Sequence, residues 1–245
     1  MNLCIDQGNT YTKIGLFDEQ TLIKSSIIDA SDYNAWKSLF SENSISNSII
    51  SSVKGVEPEL KNILQDESKL FLEFNHATLI PVKNLYKTIE TLGKDRLAGV
   101  IGAYTLQANN NILVVDAGTA LTFDFINQQA EYIGGTISPG MDMRFQALHT
   151  FTKKLPLVDA IGEIPLLGTS SEEAIRSGVV NGIIFEIEAY INELTKSYPK
   201  LLVFLTGGNC FFFESKLKST IFANQNLVLI GLNSIINYNA ANKKD

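Results

Sequence analysis

Two short stretches of this chain place a carboxylate, a glycine and a hydroxyl in the same order at the end of an apolar run. The first is Cys4-Ile5-Asp6-Gln7-Gly8-Asn9-Thr10-Tyr11-Thr12-Lys13; the second is Val114-Val115-Asp116-Ala117-Gly118-Thr119-Ala120-Leu121-Thr122-Phe123-Asp124. In each, the apolar run reads as a strand. The glycine lets the backbone turn or approach a ligand closely. The N–H groups and hydroxyl that follow then point into one small volume, a cradle for phosphate oxygens, and a carboxylate beside it can hold a metal ion or a metal-bound water. Asp and Gly are also ordinary turn formers, so one copy reads equally as a polar hairpin. Two copies, one near the start of each half, argue against chance turns. On this reading Asp6, Gly8, Asn9, Thr10 and Lys13 form a phosphate clamp, with Lys13 as point charge and Asp6 near Mg²⁺. Asp116, Gly118 and Thr119 form its opposite wall.

Two further clusters carry reactive groups. Gly93-Lys94-Asp95-Arg96 is either a helix start with Asp95 as N-cap, or a base for a substrate hydroxyl (Asp95) beside a carboxylate fork (Arg96). Thr206-Gly207-Gly208-Asn209 is either a strand-to-loop turn or a point of close backbone approach to a flat base or ribose. His76 and His149 lie in none of the clusters and read as structural or solvated. Lys153-Lys154 reads as charged surface. Phe211-Phe212-Phe213 reads as core or, by preference, subunit interface.

The elements that position these groups follow from pattern. Residues 1–28 read as three strands of an antiparallel meander. A helix is expected over Asp32–Phe40, a strand over 48–53, and a helix opened by Pro58 at a position where its missing N–H costs nothing. Leu70–Phe74 is a strand, 79–86 is irregular, and Leu97–Leu106 is a helix ended by Asn109-Asn110-Asn111. The second half repeats the plan with strands over 112–116, 119–126 and 130–133. A glycine-rich loop over Gly134–Gly140 and a helix over 141–150 follow. Ser170 and Glu173 form a capping box for a long helix to about Lys196. On that helix Ile175, Val179, Ile183 and Ile187 recur, and the neighbouring Gly178 and Gly182 imply close packing against another element. Leu201–Leu205 is a strand, Leu227–Ile230 a last strand and Leu232–Tyr238 a last helix. The fold class expected is α/β, with a mixed sheet flanked by helices in each half. The halves are 1–109 and 110–245, and ligands in such folds lie at the carboxyl ends of strands, in the cleft between halves.

Composition narrows the function. With 45% hydrophobic residues in 245, a proper core forms and global disorder is excluded. The net charge of −6, without a basic block, argues against non-specific nucleic-acid binding. Cys4 and Cys210 are too few for a disulfide scaffold or a cysteine-based zinc site. Neither a signal peptide nor a membrane-length apolar run is visible, so a soluble cytoplasmic protein is expected.

Taken together, Asp6-x-Gly-Asn-Thr, Gly93-x-Asp-Arg, Asp116-x-Gly-Thr and Thr206-Gly-Gly resemble the type III pantothenate kinases, members of the acetate kinase, sugar kinase, Hsp70 and actin superfamily. Tyr86, seven residues before Gly93, and the Tyr132-Ile-Gly-Gly-x-Ile-x-Pro-Gly140 stretch extend the likeness nearly end to end. The resemblance implies two ribonuclease-H-like (actin-like ATPase) domains with ATP between them, and phosphorylation of pantothenate to 4'-phosphopantothenate, the first step of coenzyme A biosynthesis. It implies that Asp6, Gln7, Gly8, Asn9, Thr10, Tyr11, Thr12 and Lys13, with Thr119, bind ATP, which carries Mg²⁺. Asp116 would hold a monovalent cation, K⁺ or NH₄⁺. Tyr86, Gly93, Lys94, Asp95, Arg96 and Ser171 would bind pantothenate, with Asp95 as proton acceptor. Ser171 stands where the family usually has Thr, and Lys94 where it usually has a small residue. The family's members are typically homodimers whose partner subunit helps line the pantothenate pocket. The alternatives are an ATP-binding regulatory or accessory protein of the same fold and a kinase of another small hydroxy acid.

Overall fold

The apolar run after Met1 becomes strand β1 (Asn2–Gln7), covered on both faces and therefore hydrophobic without alternation. It is the centre of a five-stranded sheet in a computed structural model that describes residues 1–8 and 11–242. β2 (Thr12–Asp18) and β3 (Thr21–Ile28) continue antiparallel on one side, forming the expected meander. β4 (Asn47–Ser52) and β5 (Leu70–Glu73) run parallel on the other. Helix α1 (Tyr33–Glu42) is capped by Asp32, whose carboxylate accepts the Ala35 N–H at 3.0 Å, and it seats Trp36, fully buried, in the core. Helix α2 (Pro58–Glu67) starts at its proline as expected.

Contacts divide the chain into two compact units. The first comprises Met1–Asn109, Ile126–Ile133 and the chain from Asn226; the second comprises Asn110–Phe125 and Gly134–Gln225. In the first, helix α3 (Lys94–Leu106) packs on the C-terminal helix, Leu227–Asn242, with backbone touching backbone. A Cβ on Gly102 would stand 2.1 Å from the Leu227 carbonyl oxygen, and one on Gly231 would stand 1.8 Å from that of Ala98. Asn2 donates to Asn233 (2.8 Å) and Asn237 (2.7 Å), tying this last helix to β1. Leu227–Ile230, expected as a strand, is the helix's first turn. A continuous apolar run does not distinguish a buried strand from a buried helix, and the contact at Gly231 needs the helix.

The second sheet has six strands: β6 (Lys83–Asn84), β7 (Ile112–Ala117), β8 (Ala120–Ile126), β9 (Glu131–Pro139), β10 (Leu202–Thr206) and β11 (Phe222–Ala223). Their order is β11-β10-β7-β8-β9-β6. The start of β9, with the tip of its hairpin, belongs to the first unit, and there β6 pairs with it in parallel. The loop expected over Gly134–Gly140 is instead strand up to Pro139, because its glycines are carried within the hairpin ladder. Helix α4 (Met141–Thr150) follows. Helix α5 (Ser171–Ser197) begins at the predicted cap: the Ser170 hydroxyl accepts the Glu173 N–H at 3.2 Å, and Glu173 in turn accepts from Thr169 at 2.8 Å. It buries Ile175, Val179, Ile183 and Ile187. The close packing expected at Gly178 and Gly182 is absent. A Cβ on Gly178 meets nothing within 4 Å and one on Gly182 only Arg144, at 3.9 Å, because this side of the helix faces a groove. Helix α6 (Cys210–Glu214) turns Phe213 into the core and leaves Phe211 exposed, so the Phe row is divided between core and surface. Among the described residues, no helix is long and apolar enough to cross a membrane.

Candidate active site

In the first unit, the turn between β1 and β2 and the start of α3 carry the reactive groups. Asp6 lies next to the end of β1, opposite Lys13 on β2, and Gln7 ends the strand opposite Thr12. The Gly8 N–H donates to the Tyr11 carbonyl at 3.1 Å, and Gln7 is buried, accepting from the Ser52 hydroxyl at 2.6 Å. Asn9 and Thr10 lie outside the described residues. The Asp6 carboxyl is pushed up to about 7, first by its loss of solvent and then by the negative charge of Asp95, against the opposing pull of Lys13. Two carboxylates from distant parts of the sequence therefore share one electrostatic environment.

Asp95 sits on α3, whose N-cap is Gly93, so Asp95 is not the cap. Its Oδ1 accepts the N–H of Arg96 at 2.8 Å. A Cβ on Gly93 would lie 2.6 Å from that same oxygen, which accounts for the glycine. The Arg96 guanidinium stands over the ring of Tyr86, 5.9 Å from its centroid, and donates to the hydroxyl of Tyr132 at 3.4 Å. Tyr86 and Tyr132 are stacked with centroids 6.1 Å apart. Lys94 instead lines a separate cavity of about 260 Å³ with His76, Glu90, Leu92 and Leu97. Asp95, Arg96 and Tyr86 are brought together; Lys94 is not among them.

In the second unit two glycine turns close on Asp116, and a third packs on the turn that follows it. Its strand β7 lies parallel to β10, with Asp116 in register with Thr206. Gly207 has φ +91°, and a Cβ there would stand 2.3 Å from Asp116 Oδ1. A Cβ on Gly118 would lie 3.0 Å from the same oxygen. One on Gly140 would lie 2.2 Å from the carbonyl oxygen of Thr119 and 2.5 Å from that of Gly118. The Asp-x-Gly-Thr turn, Thr206-Gly-Gly and Pro139-Gly140 thus form one assembly of close backbones around a half-buried carboxylate. A carboxylate oxygen is a ligand suited to hard cations. Ser171, the first residue of α5, lines an apolar groove of about 680 Å³ between α4 and α5, with Arg144, Leu148, Leu155 and Ile175. Among the described residues, no group of three or more His, Cys, Asp or Glu forms a dedicated metal site.

A family model for type III pantothenate kinase matches residues 2–193. The chain belongs to this family. The type III pantothenate kinase of Phocaeicola vulgatus is 48% identical over 98% of this chain and 99% of its own. That of Bacteroides fragilis is 44% identical over 98% of each. Among solved structures, a conserved putative Baf family transcriptional activator from Campylobacter jejuni superposes with a TM-score of 0.62 at 21% identity, covering 98% of this chain and 99% of that one. The activator of 2-hydroxyisocaproyl-CoA dehydratase from Clostridium difficile, with bound ADPNP, gives 0.54 at 9% identity, covering 100% and 97%. At these identities the structures speak for the fold, that of the actin-like ATPases and sugar kinases expected from the sequence.

The sequence missed two things. Tyr132 stood out only as the head of a glycine motif; nothing in its spacing ties it to Arg96, 36 residues away. The union of Asp116 with Gly207 depends on strand β10 returning beside β7, although both stretches are turns at the ends of apolar runs, which was the available signal.

Proposed function

We propose that this chain transfers the γ-phosphoryl group of ATP to the primary hydroxyl of pantothenate, giving 4'-phosphopantothenate, the first step of coenzyme A biosynthesis. The observation that carries the reading is the electrostatic coupling of Asp6 to Asp95: a carboxylate at the phosphate-binding turn feels the charge of a carboxylate that precedes an arginine standing over a tyrosine ring. Phosphoryl transfer asks a protein mainly for alignment and charge neutralisation. Asp6 to Lys13, with Thr119, bind the ATP phosphates, Lys13 by its charge and the turns by their N–H groups. Arg96 and Tyr86 receive the acceptor's carboxylate end, and Gly93 lets the chain pass close to it. Asp95, oriented by the Arg96 N–H at Oδ1, takes the hydroxyl proton at its other oxygen.

The family's reaction uses ATP with a divalent metal. A half-buried carboxylate at a phosphate turn fits Mg²⁺, which takes one or two protein carboxylates and completes its shell from phosphates and water. Asp6 would hold it, and the ion supplies neutralisation of phosphate charge. We assign K⁺ or NH₄⁺ to Asp116, whose half-buried carboxylate lies next to the end of β7, beside the Gly118 and Gly207 turns. A homodimer is supported by the groove beside Ser171 and by the exposed side chains of Phe151 (86%) and Leu167 (83%) in the same unit. In that dimer Ser171 reaches pantothenate.

The test is phosphorylation of pantothenate by the purified protein with Mg²⁺ and ATP, with K⁺ or Na⁺, beside a panel of other small hydroxy acids. Transfer to pantothenate that depends on K⁺ is expected. Equal turnover in Na⁺ would remove the cation from Asp116. ATP binding without transfer to pantothenate would overturn the activity.

A further inference from the structure

Tyr132 is fully buried, yet its hydroxyl meets a charged group of the candidate acceptor site. Its backbone holds the segment that presents Tyr86. Tyr132 is in register with Asn84, its carbonyl accepts the Leu85 N–H at 3.0 Å, and the Asn84 side chain accepts the Tyr86 N–H at 2.9 Å. Its side chain meets both members of the acceptor pair, the Arg96 guanidinium through the hydroxyl and the Tyr86 ring in a loose stack with centroids 6.1 Å apart. Arg96 closes the triangle by standing over Tyr86. The hairpin that carries Tyr132 is itself pinned: the Asn127 carbonyl oxygen of the side chain accepts the N–H groups of Gln129 and Glu131 at 3.0 Å, and Lys83 pairs with Glu131 at 2.8 Å.

A guanidinium is useful to a carboxylate only if its plane faces the right way. Left on a long flexible chain, it must lose rotamer freedom when the ligand arrives. A buried phenol at one edge and an aromatic face below remove that cost beforehand. We propose that Tyr132 is a positioning residue for the acceptor site, holding Arg96 and Tyr86 in the orientation that receives the pantothenate carboxylate. This rests on the reading of Arg96 and Tyr86 as the acceptor pair.

The experiment is steady-state kinetics in both substrates for Tyr132→Phe, Tyr132→Leu, Arg96→Ala and the double variant Arg96→Ala/Tyr132→Phe, with thermal melts of each. Tyr132→Phe keeps the ring and removes only the hydroxyl, so it is the variant that folds with least disturbance. It is expected to raise the pantothenate KM about 3- to 10-fold, the range for one hydrogen bond to a charged group at a long distance. The kcat and the KM for ATP should stay within about twofold, a split that general loosening of the fold does not produce. Tyr132→Leu, which also loses the ring, should raise the pantothenate KM further. In the Arg96→Ala background the phenylalanine substitution should add nothing, because the hydroxyl acts through Arg96. An unchanged pantothenate KM in Tyr132→Phe, or an effect that persists at full size without Arg96, overturns the proposal. If Arg96→Ala itself leaves the pantothenate KM unchanged, the acceptor-site reading fails and takes Tyr132 with it. If Arg96→Ala raises it while Tyr132→Phe does not, only Tyr132 is dismissed.

Discussion

Replacing Asp6 by asparagine should weaken ATP binding and, at alkaline pH, stabilise the empty protein. The Asp6 carboxyl stands at about 7 in the fold, raised from an ordinary value of 3.8, chiefly by desolvation and then by Asp95. Between those two values the folded chain keeps a proton that the unfolded chain has shed. Stability from this group is therefore complete below about pH 4 and is lost as pH rises through about 7. A rise of roughly three units at about 1.4 kcal/mol each sets a ceiling of about 4 kcal/mol. Asp6 is only half-buried, and relaxation and water reduce this to about 2 kcal/mol. For a chain of this length that is about 4 °C in Tm. The assay is thermal unfolding of wild type and Asp6→Asn at about pH 3.5 and about pH 8.5, without nucleotide or metal. The two should melt nearly together at the lower pH, where Asp6 is protonated in the fold and mostly so in the unfolded chain and is a near-isostere of Asn, and the variant should melt higher at the upper pH. Mg²⁺ with ATP should then raise the wild-type Tm more than the variant's. A difference between the two proteins that is the same at both pH values would refute the reasoning, because it would mean that the charge of Asp6 costs the fold nothing.

Asp95→Asn should lower kcat by about 10²- to 10⁴-fold, the usual contribution of a placed base, while ATP binding measured by calorimetry is retained; an unchanged kcat removes Asp95 from the chemistry. Gly231→Ala drives a methyl to 1.8 Å from a backbone oxygen of α3 and should cost about 3 kcal/mol or more by urea unfolding. The control is Gly99→Ala, whose Cβ would meet nothing nearer than 3.9 Å, and which should be neutral or stabilising by up to about 1 kcal/mol. If the proposed homodimer forms through the face that carries Phe151 and Leu167, Phe151→Asp combined with Leu167→Asp should halve the mass seen by light scattering and raise the pantothenate KM; a wild type of monomer mass would refute the dimer, and a variant of unaltered dimer mass would refute this face.

Local chemistry was legible in the sequence wherever it depends on neighbours along the chain. The Asp-x-Gly turns, the start of α1 near Asp32, Pro58 opening α2 and the Ser170–Glu173 box of α5 each follow from residues within a few positions of one another. The family could be read for the same reason, since its motifs are short and contiguous. What failed was what depends on distant backbone. Leu227–Ile230 has no period of its own, and only its contact with α3 makes it a helix. Gly178 looked like a packing glycine, but no residue on its own helix shows that a groove lies opposite. The tertiary structure alone put Asp95 within electrostatic reach of Asp6, Gly207 against Asp116, and the Tyr132 hydroxyl on Arg96. Spacing along a chain fixes turns and caps through bonds a few residues long. Side chains tens of residues apart meet only where sheet order and helix packing carry them, and those are set by the summed burial of the core.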